Sequence, residues 1–198
     1  TSNTIYGANA GNTIVSGGNY NICIGDEAGT ALTTGDNNIL VGYGAGDAIT
    51  TQEKCVAIGS NALGDMNGTN QFSNVAIGYG AMDGFGDEDS CKGNTGVGDG
   101  VMGATATGRM YRNTGVGMGA LSSCVSGNYH TCMGYSAGGS ITTGVNLICI
   151  GTASGSASSP SGAFTTDQNK ICLGNTDISA IYVETDAWTT SDIRDKAD

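Results

Sequence analysis

Proline is nearly absent, with one residue in a chain of 198, and aromatic side chains supply only 6% of positions. Charge is scarce too, at 13%, and basic charge scarcest: seven Lys and Arg stand against 18 Asp and Glu, for a net charge of −11. A surface of that sign is repelled by nucleic acid and by anionic lipid headgroups, so neither is expected as a partner. No apolar run approaches the roughly 18 residues that a membrane-spanning helix needs, so no membrane insertion is expected. No Cys-x-x-Cys pair occurs among the seven cysteines, and their number is odd. These two facts argue against a complete intrachain disulfide framework and a zinc ribbon. The cysteines are expected to be small, buried, reduced thiols in a chain assembled under reducing conditions. The opening residues, Thr1 to Gly11, resemble neither a signal peptide nor a translation start, and we read the chain as a piece of a longer polypeptide.

Glycine, in contrast, is abundant, at 35 residues without a three-residue period, which excludes collagen. Disorder is disfavoured because 38% of residues are apolar and recur in fixed strings. The string is Asn, apolar, small, apolar, Gly. It runs as Asn21-Ile-Cys-Ile-Gly25, Asn38-Ile-Leu-Val-Gly42, Cys55-Val-Ala-Ile-Gly59, Asn74-Val-Ala-Ile-Gly78 and Asn94-Thr-Gly-Val-Gly98. It continues as Asn113-Thr-Gly-Val-Gly117, His130-Thr-Cys-Met-Gly134, Leu147-Ile-Cys-Ile-Gly151 and Lys170-Ile-Cys-Leu-Gly174, with Asn3-Thr-Ile-Tyr-Gly7 as a weaker opening copy. The ten copies are separated by glycine-to-glycine steps of 18, 17, 17, 19, 20, 19, 17, 17 and 23 residues.

Helix is excluded, because units this rich in Gly, Thr and Asn carry no apolar stripe at 3.6 spacing. Each unit supplies one short strand, a glycine turn and a second apolar contact seven residues beyond the glycine, as at Leu32, Ile49, Met66 and Ile141. Such a unit buries its apolar face only when neighbours stack above and below it. The predicted fold is therefore all-β: a parallel β-solenoid or β-roll of about ten coils of 17–23 residues, with a rod length of about 45–50 Å. Alternation along each strand puts Ile22 and Ile24 on one face and Cys23 on the other. We expect the large pair inside the coil and the small residue (Cys23, Ala57, Ala76, Gly96) at a close contact between chains. Cys132, Cys149 and Cys172 should stack on successive rungs. The expected division is a solenoid over 1–177, a capping or linker segment over 178–190, and the start of a further domain over 191–198.

The chain offers few candidates for chemistry. Asp83, Asp87, Glu88 and Asp89 are the densest acidic cluster, but their spacing is not that of an EF-hand loop, and we read them as a solvated loop. His130, the only histidine, replaces the asparagine that opens most repeats, which reads as a substitution within a ladder. Tyr43, Tyr79 and Tyr135 each follow a turn glycine. They are candidates for stacking on sugar rings, or for packing at a corner or between chains. No cofactor and no metal is expected.

Two pieces resemble known families. Asn74-Val-Ala-Ile-Gly78 and Cys55-Val-Ala-Ile-Gly59 resemble the head repeat of trimeric autotransporter adhesins, an Asn-Ser-Val-Ala-Ile-Gly type of motif also similar to repeats of phage and algal-virus fibres. The resemblance spans roughly Asn3 to Gly174 and implies parallel β-rolls in a side-by-side homotrimer, although the steps here are longer and less regular. The terminal string Ser191-Asp-Ile-Arg-Asp-Lys196 resembles the junction of the endosialidase-type intramolecular chaperone of phage tailspikes and tail fibres. That likeness implies a full-length protein that trimerises through its chaperone and then cuts itself beside Ser191. Ser191 would be the nucleophile and Lys196 the general base, with Asp192 and Arg194 completing the motif. The chain stops at Asp198, short of the chaperone body, so no enzyme activity is expected of it alone.

Together the two resemblances imply a rigid segment of a viral fibre or spike on the virion surface, assembled in the host cytoplasm. Its loops are candidates for binding a host polysaccharide or glycoprotein. The competing readings are a polysaccharide depolymerase, which requires carboxylates converging in a groove, and the head of a cellular trimeric adhesin, which requires a secretion signal and an anchor.

Overall fold

The computed structural model describes residues 2–85 and 91–179. It is all-β, a parallel β-solenoid of about eight turns. The strands are β1 (Thr4–Tyr6), β2 (Ile22–Ile24), β3 (Ile39–Val41), β4 (Val56–Ile58), β5 (Val75–Ile77), β6 (Thr95–Val97), β7 (Met110–Tyr111), β8 (Thr114–Val116), β9 (Gly127–Asn128), β10 (Thr131–Met133), β11 (Val145–Ile150) and β12 (Gln168–Leu173). The main ladder runs β1-β2-β3-β4-β5-β6-β8-β10-β11 in parallel register, with β12 beyond β11. Like stacks on like: Ala57 opposes Ala76, Gly96 opposes Gly115, and Cys149 lies between Cys132 and Cys172. A shorter second ladder flanks the first. It joins β7, β9 and the start of β11, and isolated bridges extend it from Tyr111 to Lys92 and from Phe72 to Glu53.

The polarity of the strands is the reverse of the expectation. The small central residues face inward: Cys23, Ala57, Ala76, Cys132 and Cys149 have no exposed surface. The large pair faces out, leaving Ile24, Ile58, Met133 and Ile150 36–44% exposed. The reason is the narrow coil. The opposite wall sits so near the strand that turn residues such as Ala28, Leu32, Ala45 and Ile49 already fill the interior. Volumes compensate rung by rung, as close packing demands. Where the strand centre is glycine, the turns carry larger chains. A β-carbon on Gly96 would meet Met82 at 2.8 Å and Val101 at 3.0 Å, and one on Gly115 would meet Val101 at 2.8 Å and Met102 at 3.0 Å. All seven cysteines are buried and free, as the reduced-thiol expectation requires. Burial pushes the Cys23 and Cys55 thiols up to about 11 and the Cys124 thiol up to about 12.

The asparagine that opens most repeats forms a buried amide ladder. The Oδ1 of Asn94 accepts from the Asn113 backbone N–H at 3.0 Å and from Asn113 Nδ2 at 3.1 Å. Its Nδ2 donates to Asn74 Oδ1 at 3.0 Å and to the Met110 carbonyl at 2.9 Å. The same pattern recurs where Asn38 follows Asn21 and where Asn113 follows Asn94. Every one of these side chains is buried and satisfied, which is the condition for a polar group in a core.

His130 occupies an asparagine's place in this ladder. Its N–H donates to Asn113 Oδ1 at 2.9 Å, and its Nδ1 accepts from the Leu147 N–H at 3.3 Å. Nδ1 therefore stands in for an amide oxygen and the ring must be neutral. Burial lowers its pKa from 6.5 to about 4. Because the folded value is depressed, the unfolded chain binds the extra proton. The stabilising contribution is complete above pH 6.5 and declines as pH falls through the window down to about 4. At about pH 4.5 the loss should reach roughly 2–3 kcal/mol. Chemical denaturation at neutral and acid pH checks this: His130→Asn should keep its stability through the window where the parent loses it.

Candidate functional site

Since the interior is filled, anything this chain recognises must meet an outer surface. Two surfaces stand out. The first is the outward face of the main ladder. Its two columns run through every rung, as Ile22 and Ile24, Ile39 and Val41, Val56 and Ile58, Val75 and Ile77, ending at Ile171 and Leu173. In the middle rungs the first column changes to Thr95, Thr114 and Thr131, while the second stays apolar with Val97, Val116 and Met133. A continuous apolar strip of this length is far more than the scattered exposed residues normal for a soluble surface.

The tyrosines flank this strip. Tyr43, Tyr79 and Tyr135 are 57%, 65% and 54% exposed and occupy one corner column. They are not neighbours in it. Ser60 stands between Tyr43 and Tyr79, and Asp99 and Met118 stand between Tyr79 and Tyr135. At about 4.8 Å per rung, the rings lie two and three rungs apart and form no continuous stacking row. The Glu27 carboxylate beside Tyr43 holds that phenol above its usual range, so this end of the column is anionic.

The second surface lies on the flanking ladder, at the other edge of the strip. Phe72, Lys92 and Tyr111 take the same repeat position on consecutive rungs, two residues before Asn74, Asn94 and Asn113. The Lys92 ammonium is sandwiched between rings, 4.8 Å from the centroid of Phe72 and 5.1 Å from that of Tyr111. The Arg112 guanidinium lies 5.5 Å from the Tyr111 centroid. Such contacts stabilise a cation without neutralising it. The nearby Lys92 ammonium lowers the Tyr111 phenol's pKa, with Arg112 and Arg109 acting in the same direction.

Shallow hollows border this ledge. One of about 200 Å³ is lined by Phe72, Ser73, Lys92, Gly93, Tyr111 and Arg112. Another of about 430 Å³ is lined by Arg109, Tyr111, Arg112, Asn128 and Tyr129. Four of the five basic residues in the described segments cluster here: Lys54, Lys92, Arg109 and Arg112. Lys170, the fifth, is paired with Asp167, and Lys54 lies 3.6 Å from Glu53. Lys92, Arg109 and Arg112 have no carboxylate partner among the described residues.

Known family models, curated proteins and solved structures include none that this chain matches.

The remaining candidates are placed as follows. Ser191, Asp192, Arg194 and Lys196 lie outside the described residues, as do Asp87, Glu88 and Asp89. Asp83 takes the same repeat position as Asp47, with Asp65 one residue further along the rung between them, and burial followed by these like charges raises its carboxyl pKa. Among the described residues no His, Cys, Asp or Glu group is arranged to hold a metal ion. The basic ledge was missed in reading the sequence, although a signal existed. Aligning each repeat backward from its asparagine puts Phe72, Lys92 and Tyr111 in one column. Aligning forward from the glycine displaces Lys92, which stands 14 residues beyond Gly78, from Phe72 and Tyr111, which stand 13 residues beyond Gly59 and Gly98.

Proposed function

We propose that this chain is a rigid, non-enzymatic segment of a viral attachment fibre, associating side by side with two further copies of itself. The observation that carries this reading is the outward apolar strip. It repeats with the rung spacing, so a second copy presents matching side chains at the same intervals along the whole rod. A strip whose ladder extends from β1 to β12 needs a partner of similar length, and another copy supplies one. Burying it removes the apolar surface that the inward-facing small residues leave outside. On this reading the ten strings form ten rungs, three abreast. The viral assignment rests on the resemblance of the repeat and of the terminal string around Ser191 and Lys196. The scattered carboxylates favour a structural role over depolymerisation.

Light scattering on the purified chain is expected to give three times the 19.7 kDa of one copy. The double variant Ile58→Asp/Ile77→Asp should dissociate it, since six carboxylates would be desolvated in one trimer interface. A monomer at micromolar concentration for the unaltered chain overturns the proposal.

A further inference from the structure

We infer that the ledge formed by Phe72, Lys92, Tyr111 and Arg112 binds an acidic polysaccharide, a polymer of sugar rings bearing carboxylate or sulfate groups. This rests on the attachment reading and supplies its ligand class. In a chain with 18 acids and seven bases, a surface cation normally finds a carboxylate. Lys92, Arg109 and Arg112 have none among the described residues and are gathered instead around the exposed ring of Phe72 and the half-buried ring of Tyr111.

A ligand that satisfies both features must offer anionic groups and flat apolar faces in alternation. Sugar rings supply the faces, packing on Phe72 and Tyr111. Their acidic substituents supply the charges for the ammonium of Lys92 and the forked guanidinium of Arg112. Rungs about 4.8 Å apart match a polymer whose units follow one another at about the length of one pyranose. The same geometry explains selectivity. Acids outnumber bases 18 to seven over the chain, so an anionic polymer is disfavoured away from this cluster of cations. The tyrosine column at Tyr43, set beside Glu27, lies on the wrong side of that divide.

Binding of the full chain to oligomers of a polyuronate, to heparin, to neutral dextran and to oligo-dT, measured by calorimetry at low and high salt, tests this. Saturable, salt-sensitive binding to the polyuronate or to heparin is expected, and the tighter of the two identifies the anion as carboxylate or sulfate. Lys92→Gln/Arg112→Gln should weaken it about ten-fold or more. Lys92→Arg should retain it, and Lys170→Gln and Tyr43→Ala should leave it unchanged. Equal binding to dextran, equal or tighter binding to oligo-dT, no binding to either acidic polymer, or indifference to the double variant overturns the inference. Light scattering on the same samples separates the two proposals. A trimer that ignores acidic glycans defeats the ledge alone, and a monomer defeats the side-by-side assembly.

Discussion

Asn94→Leu should lower stability by about 2–4 kcal/mol, because it leaves the buried Asn113 N–H without an acceptor and deprives the Met110 carbonyl of one donor. Asn94→Asp should cost more, above about 4 kcal/mol at neutral pH. The carboxylate would point one oxygen at Asn74 Oδ1 and the Met110 carbonyl, where the native amide donates at 3.0 and 2.9 Å. Burial would raise the pKa of that new carboxyl, so part of the loss should be recovered as the pH falls and the group takes up a proton. Asn94→Cys should be the mildest of the three. The molecule already contains that replacement at Cys55, whose N–H donates to Asn38 Oδ1 at 3.0 Å and whose sulfur faces the Asn74 and Ser73 amides. Denaturant melts of the three variants should rank them Cys, Leu, Asp in order of increasing loss.

Gly59→Ala is expected to destabilise by about 3–5 kcal/mol, the combined cost of a backbone region reserved for glycine and of overpacking. Gly59 has φ of 130°, and a β-carbon there would come within 2.4 Å of the Gly78 carbonyl oxygen on the next rung. Backbone has no rotamer with which to retreat. Gly80→Ala provides the contrast. Its φ is 56° and nothing lies within 4 Å of the added carbon. The corresponding position in other repeats is held by Glu27, Asn61, Ser136 and Ala153, all at positive φ. That substitution should cost about 1 kcal/mol. Comparable losses for both variants in thermal melts would refute the close-approach argument.

The repeat was plain in the sequence because a ladder of identical rungs forces identical residues into the same positions. Strand positions, turn glycines and the stack of Cys132, Cys149 and Cys172 all follow from that. The inside and the outside of the coil did not. Alternation separates Ile58 from Ala57 but does not say which one faces in. That choice depends on the distance to the opposite wall, set by turn residues such as Met82 and Met102 that lie outside the string. Apolar residues facing outward also contradict the usual sorting of a single chain, and under the side-by-side assembly proposed above a neighbouring copy would cover them. The basic ledge was obscured for a different reason. It belongs to the second ladder, whose strands β7 and β9 are only two residues long and carry no recurring string.

In-register stacking makes this architecture a ruler. Duplicating one repeat of 17 residues, such as that from Gly25 to Gly42, would lengthen the rod by about 4.8 Å. The cross-section would not change, and no existing contact need be redesigned, because the new rung offers the same amide, the same glycine and the same pair of outward side chains to its neighbours. A lineage that needs more reach can therefore obtain it by copying short stretches of gene. Copies of unequal length, however, would leave part of their apolar strip uncovered. Under the proposed side-by-side assembly, partner chains would then have to change length together.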